Sequence, residues 1–155
     1  MKKIFYDIEV LPNFFTVVFI DSESDKVIKL RLESIAMIRK VATSYTLIGY
    51  NNHNYDDVIL KHLLKDNATH ESIYKLSSAL VTNKLARTDA QRRLINKYKY
   101  MDGIDSIDVM TLLASSKLRV SLKHLQVKIK WHNVLDFEVD WTKPLDPSRF
   151  DECEG

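Results

Sequence analysis

The chain has 155 residues, 45% of them hydrophobic and 28% charged, with a formal net charge of +2. That is the composition of one ordinary globular domain, long enough to bury a core. Three glycines and three prolines exclude a collagen-like or low-complexity chain, and one cysteine, Cys153, excludes an internal disulfide or a cysteine-rich zinc site.

Lys3-Ile4-Phe5-Tyr6-Asp7-Ile8-Glu9 reads as a first strand, apolar at its start and acidic at its end. Side chains two apart on a strand point the same way, so Asp7 and Glu9 project together. Leu11-Pro12-Asn13 reads as a turn, and Phe14 to Ile20 as a strongly β-prone second strand. A polar turn over Asp21 to Asp25 leads to a third strand, Val27 to Leu32, completing an antiparallel meander. Ser34 is placed to cap a helix beginning at Ile35. Tyr45 to Tyr50 is a fourth strand. A strand reached through a helix pairs in parallel, so the sheet is expected to be mixed.

Tyr55, Ile59 and Leu63 recur at helical spacing, which puts Asp56 in the first turn of a helix after a core strand. The helix dipole alone favours a carboxylate there. Ile73, Leu76 and Leu80 mark a further helix. From Lys84 to Lys99 the chain is basic, and Leu94 and Tyr98 are positioned to anchor it. Such a run is either a solvated helix face or a phosphate contact, for which Arg92 and Arg93 are the candidates. Ile104 to Met110 reads as a short strand entering a helix at Thr111. Ser121 is placed to cap a helix through Gln126 that would share an apolar face with Ile129. Asp140 to Pro147 is extended or turning. The stretch after Met1-Lys2-Lys3 is interrupted by Asp7 and Glu9, so it is not a signal peptide, and no run of about 18 apolar residues offers a membrane span. A reducing cytoplasm is the expected compartment.

Taken alone, Asp7-x-Glu9 is open to two readings: a solvated acidic strand end, or hard oxygen ligands for a divalent cation. Asn52-x-x-Tyr55-Asp56 follows about fifty residues later. If the first and fourth strands are neighbours, the two groups converge. Together, and in this order, they resemble the DEDD 3′–5′ exonucleases of the ribonuclease H-like fold, and most of all the proofreading domains of family B DNA polymerases, phage enzymes included. Phe5-Tyr6-Asp7-Ile8-Glu9 is similar to that family's first motif and Asn52-His53-Asn54-Tyr55-Asp56 to its second. The segment from Ile104 to Gln126, with Asp108 and then Ser121-Leu122-Lys123, resembles what precedes the third motif.

The resemblance implies a single α/β domain, ribonuclease H-like. Its mixed sheet joins the antiparallel meander to parallel strands, with helices around it. It implies two Mg²⁺ or Mn²⁺ ions held by Asp7, Glu9 and Asp56, and single-stranded DNA held by Asn52, Tyr55, Arg92 and Arg93. The rest of a polymerase or another replication protein is the implied partner, with no membrane involved. If the gene is of phage origin, the compartment is the bacterial host cytoplasm. The family's third motif, Tyr-x-x-x-Asp or a His equivalent on a late helix, has no counterpart after Gln126. His132 and Asp136 have the wrong spacing, and Tyr98-x-x-x-Asp102 stands out of order. The chain is therefore expected to be incomplete at its C-terminal side and to cut slowly or not at all. A non-catalytic relative that binds single-stranded DNA or a protein is the alternative.

Overall fold

β1 (Lys3–Leu11) alternates strictly: Ile4, Tyr6, Ile8 and Val10 are buried, while Phe5 and Asp7 face the other way. A computed structural model describes residues 2–114, 121–124 and 139–154 of the chain. β2 (Phe14–Asp21) pairs antiparallel with β1, setting Asp7 opposite Val18 and Glu9 opposite Thr16. β3 (Val27–Arg31) completes the expected meander and is followed by a turn of 3-10 helix, Leu32–Ser34. Ser34 stands at the start of α1 (Ile35–Ser44), but its side chain makes no capping bond.

β4 (Thr46–Gly49) returns parallel to β1, and β5 (Asp105–Asp108) lies parallel beyond it. The result is an α/β fold whose five-stranded mixed sheet runs in the order β3-β2-β1-β4-β5. The first and fourth strands are neighbours, paired in parallel.

α2 (Asp56–Lys65), α3 (His70–Val81) and α4 (Asp89–Lys99) pack together with α1 over the face carrying Ile4, Tyr6 and Ile8, in one apolar cluster. Capping boxes start α3 (Thr69 with Ser72) and α4 (Thr88 with Gln91). α4 is anchored by Ile95 and Tyr98, with Leu94 only half-buried. α5 (Val109–Ala114) follows β5 directly. Ser121 Oγ accepts a bond from His124 N, as a cap would; the expected remainder of that helix, with Ile129, His132 and Asp136, lies outside the described residues.

The tail turns after Asp140 as expected and then forms an unforeseen 3-10 helix, Pro147–Glu154. It is fastened to the β1–β2 turn. The Asn13 amide donates to Leu145 O and accepts from Leu145 N, both at 2.8 Å. Phe150 stacks on Phe14 at 4.5 Å, and Arg31 lies over both rings while pairing with Asp151 at 2.9 Å. Among the described residues no helix is long and apolar enough to cross a membrane.

Candidate metal centre

β1 outruns its parallel neighbour. Pairing with β4 ends at Phe5–Ile48, four residues before Glu9. β4 stops at Gly49, and the chain leaves the sheet through Asn51, whose φ of 60° is in the left-handed region that asparagine tolerates. Asn52–Asn54 form one 3-10 turn, and α2 starts at Asp56. Glycine is required at position 49, because a Cβ there would lie 2.8 Å from Cβ of the buried Asn52. This short path sets Asp56 beside the edge of β1 that β4 has vacated. Its Oδ1 accepts from Ile8 N at 3.2 Å, satisfying a backbone donor that lies between Asp7 and Glu9 in the sequence. Asp56 thereby lies along the same strand edge as Asp7 and Glu9, and the charge of Asp7 reaches both of the others.

Their electrostatics follow from that proximity. Asp56 is buried, and desolvation together with the nearby charge of Asp7 raises its carboxyl well above the ordinary range. Glu9 is half-buried; desolvation first, then Asp7, pushes it up to about 8. Asp7 is also raised by the protein packed around it, although solvent still reaches it. Asp7 is thus the charge that both neighbours feel. Among the described residues, no lysine or arginine pairs with any of the three. Hard carboxylate oxygens without a protein counter-charge fit a divalent cation. They do not form a closed shell: among the described residues, no three His, Cys, Asp or Glu side chains are placed to hold one ion between them.

The raised carboxyls have a consequence for stability. A carboxyl whose folded pKa exceeds its unfolded value binds its proton more tightly when folded. Its contribution is therefore complete below the unfolded value and lost as pH rises to the folded one. For Glu9 the window runs from its ordinary 4.5 to about 8. In the absence of divalent ions, the urea midpoint of the wild type should fall across this range relative to that of Glu9→Gln. Parallel profiles for the two proteins would contradict the assignment.

Glu9 borders a cleft of about 390 Å³ with Tyr55, Tyr74, Ser77 and Trp141. Tyr55 is fixed by a 2.6 Å bond between its hydroxyl and Ser77 Oγ. Asn52, expected at the substrate, is wholly buried. Its amide nitrogen donates to Asp57 Oδ1 at 3.1 Å. Arg92 is exposed and lies 3.5 Å from Asp89; Arg93 is exposed as well.

Asp57, which the motif reading passed over, is the centre of the buried polar network. It accepts from Tyr6 OH, from Asn52 and, at 2.6 Å, from Ser106 Oγ. The available signal was Tyr6: it alternates with Ile4 and Ile8, so its inward hydroxyl needs an acceptor. Burial and the charges of Asp57 and Asp56 keep it a phenol, and hence a donor.

Asp108, at the end of β5, accepts from Asn51 N and Met110 N, while its buried Oδ2 has no hydrogen-bond partner among the described residues. His53 stands 3.9 Å from that oxygen and 3.8 Å from Asp57 Oδ2. Tyr98 bonds Asp66 rather than approaching the carboxylates, and Asp102 is exposed, so that out-of-order pair takes no part in the cluster.

No family model matches the chain, and neither a curated protein nor a solved structure matches it.

Proposed function

We propose that the chain is a metal-dependent 3′–5′ exonuclease module on a ribonuclease H-like fold, similar to the proofreading domains of family B DNA polymerases. It acts on single-stranded 3′ ends in a cytoplasmic setting, alongside the remainder of a polymerase or another replication protein. The observation that supports this reading is the bond from Ile8 N to Asp56, which ties the second motif's carboxylate to the backbone between Asp7 and Glu9. The sheet order, an antiparallel meander extended by parallel strands, is the arrangement such a fold calls for.

Asp7, Glu9 and Asp56 would hold Mg²⁺ or Mn²⁺. Bound there, such ions would supply Lewis-acid stabilisation of the attacking water and of the leaving oxygen. The protein's part is positional. Asp7, whose charge both other carboxylates feel, would be the ligand placed between them. Tyr55, locked by Ser77, is the rim on which a terminal sugar or base packs. Asn52 acts indirectly, holding Asp57 and so the start of α2. Water forms a new bond to phosphorus, and the 3′ oxygen leaves with the proton. Three carboxylates with no late Tyr-x-x-x-Asp hold the nucleophile loosely, so the expected rate is low.

The absence of a closed three-ligand group among the described residues favours a second reading, a non-catalytic module that binds single-stranded DNA or a protein. Calorimetric titration with Mn²⁺ separates the two. The exonuclease reading expects binding by the wild type and none by the Asp7→Ala, Asp56→Ala double variant; equal binding by both would refute it.

A further inference from the structure

Two adjoining clefts share Lys84, Arg87, Ile95 and Lys99, and so make one open groove along α4. The nearer part, about 850 Å³, starts at Tyr55. The farther part, about 320 Å³, reaches Arg92 and Tyr100. Tyr55 and Val81 also line the cleft that Glu9 borders, so the groove adjoins that cleft.

The groove's charge is positive and largely uncompensated. Lys84, Arg87 and Lys99 pair with no carboxylate among the described residues, and only Arg92 has an acidic neighbour, Asp89 at 3.5 Å. Arg87 is held rigidly by neutral acceptors, donating to Thr82 O at 3.0 Å and Leu80 O at 2.6 Å. α4 is equally fixed, by its capping box and by the buried Ile95 and Tyr98. A basic run is ordinarily a convex, solvated helix face. Here the cations come from the turn before α4 and from its far end, and they converge on a concave surface with Leu80 and Ile95 in its lining. Tyr100, 77% exposed, offers an open aromatic face at the distal end.

We propose that this groove binds the sugar–phosphate backbone of a single-stranded nucleic acid on the 5′ side of the end held at the carboxylates, with a base stacked on Tyr100. The inference rests on the exonuclease reading for its polarity. A cationic track beside aromatic platforms is how single strands are held without regard to sequence, whereas a duplex keeps its base faces away from such a platform.

The test is fluorescence anisotropy with a labelled oligothymidylate in EDTA, which keeps metal binding and hydrolysis out of the measurement. The Lys84→Gln, Lys99→Gln double variant should bind at least about tenfold more weakly at low salt. Its log K against log salt slope should be shallower by about 1.4, at roughly 0.7 per lost phosphate contact. Lys40→Gln with Lys65→Gln, which removes the same charge from a separate cleft, should bind as the wild type does. Tyr100→Ala should lose about fivefold or more with no change in slope. Oligouridylate compared with oligodeoxyuridylate names the sugar, and a preference either way supports the groove. Equal losses in the two lysine pairs, no loss in the groove pair, equally tight binding of a hairpin duplex, or equal competition by polyglutamate would each overturn the proposal. If the groove variants behave as expected while Mn²⁺ binding fails, the exonuclease reading falls and the groove stands.

Discussion

Asp57→Ala is expected to cost the fold about 3–5 kcal/mol, read from urea unfolding. Three donors converge on this carboxylate from different parts of the chain: Tyr6 in β1, Asn52 in the turn before α2, and Ser106 in β5. Tyr6 and Asn52 are buried, so alanine leaves their donors without acceptor or water. An orphaned buried donor costs about 1–3 kcal/mol, and a domain's whole stability is only about 5–15 kcal/mol. The neighbouring aspartate should behave in the opposite way. Asp56→Asn removes a desolvated charge that Asp7 repels, and the amide oxygen can still accept from Ile8 N, so stability in the absence of metal should rise. A loss at Asp57 within about 0.5 kcal/mol, the range of ordinary surface changes, would show that the network carries little.

The second large effect concerns rate. A chain carrying a Tyr-x-x-x-Asp helix after residue 155 is expected to shorten a 3′-labelled oligonucleotide in Mn²⁺ at least about a hundredfold faster than the 155-residue chain. Fixing the nucleophile is the reason, since misplacing a reacting group by about 1 Å costs about that much. Asp7→Ala in the extended chain should then lose about a thousandfold. Several kcal/mol of charge stabilisation would go, and each ~1.4 kcal/mol is a factor of ten. Fast, Asp7-dependent digestion by the 155-residue chain itself would mean that a fourth ligand is already present. Asp151 is committed to Arg31 and Asp102 is exposed, which leaves Asp108 as the first residue to substitute.

Much of the architecture was legible because each element carries its own periodicity. β1 and β2 announce themselves through apolar runs, and α2 through Tyr55, Ile59 and Leu63. The approach of Asp56 to the backbone between Asp7 and Glu9 followed from one topological step, that the first and fourth strands are neighbours. What local spacing could not supply was the choice of partners across the sheet. Asp56 and Asp57 are chemically identical neighbours at a helix start, and only about 100° of helical rotation separates their directions. One turns to the strand edge and the other to Tyr6 and Ser106, which lie 51 and 49 positions away. Asn52 is hidden for the same reason: its burial depends on the missing side chain of Gly49. The basic run was visible as composition, but which of its cations line a concavity depends on how α4 lies against α3. Lys84, Arg87 and Lys99 therefore joined Arg92 only in three dimensions.

The clasp between Asn13 and Leu145 spans 132 positions of sequence. Contacts so distant contribute nothing until the intervening chain has been closed, at an entropy cost that grows slowly with loop length, and they lengthen folding times. On a ribosome adding about 5–20 residues each second, the strands β1 and β2 would be synthesised roughly 6–25 s before the segment that closes their turn. During that interval Leu11 and Phe14 would stand uncovered two and five residues beyond Glu9. The turn between β1 and β2 would thus be among the last places in the domain to be covered.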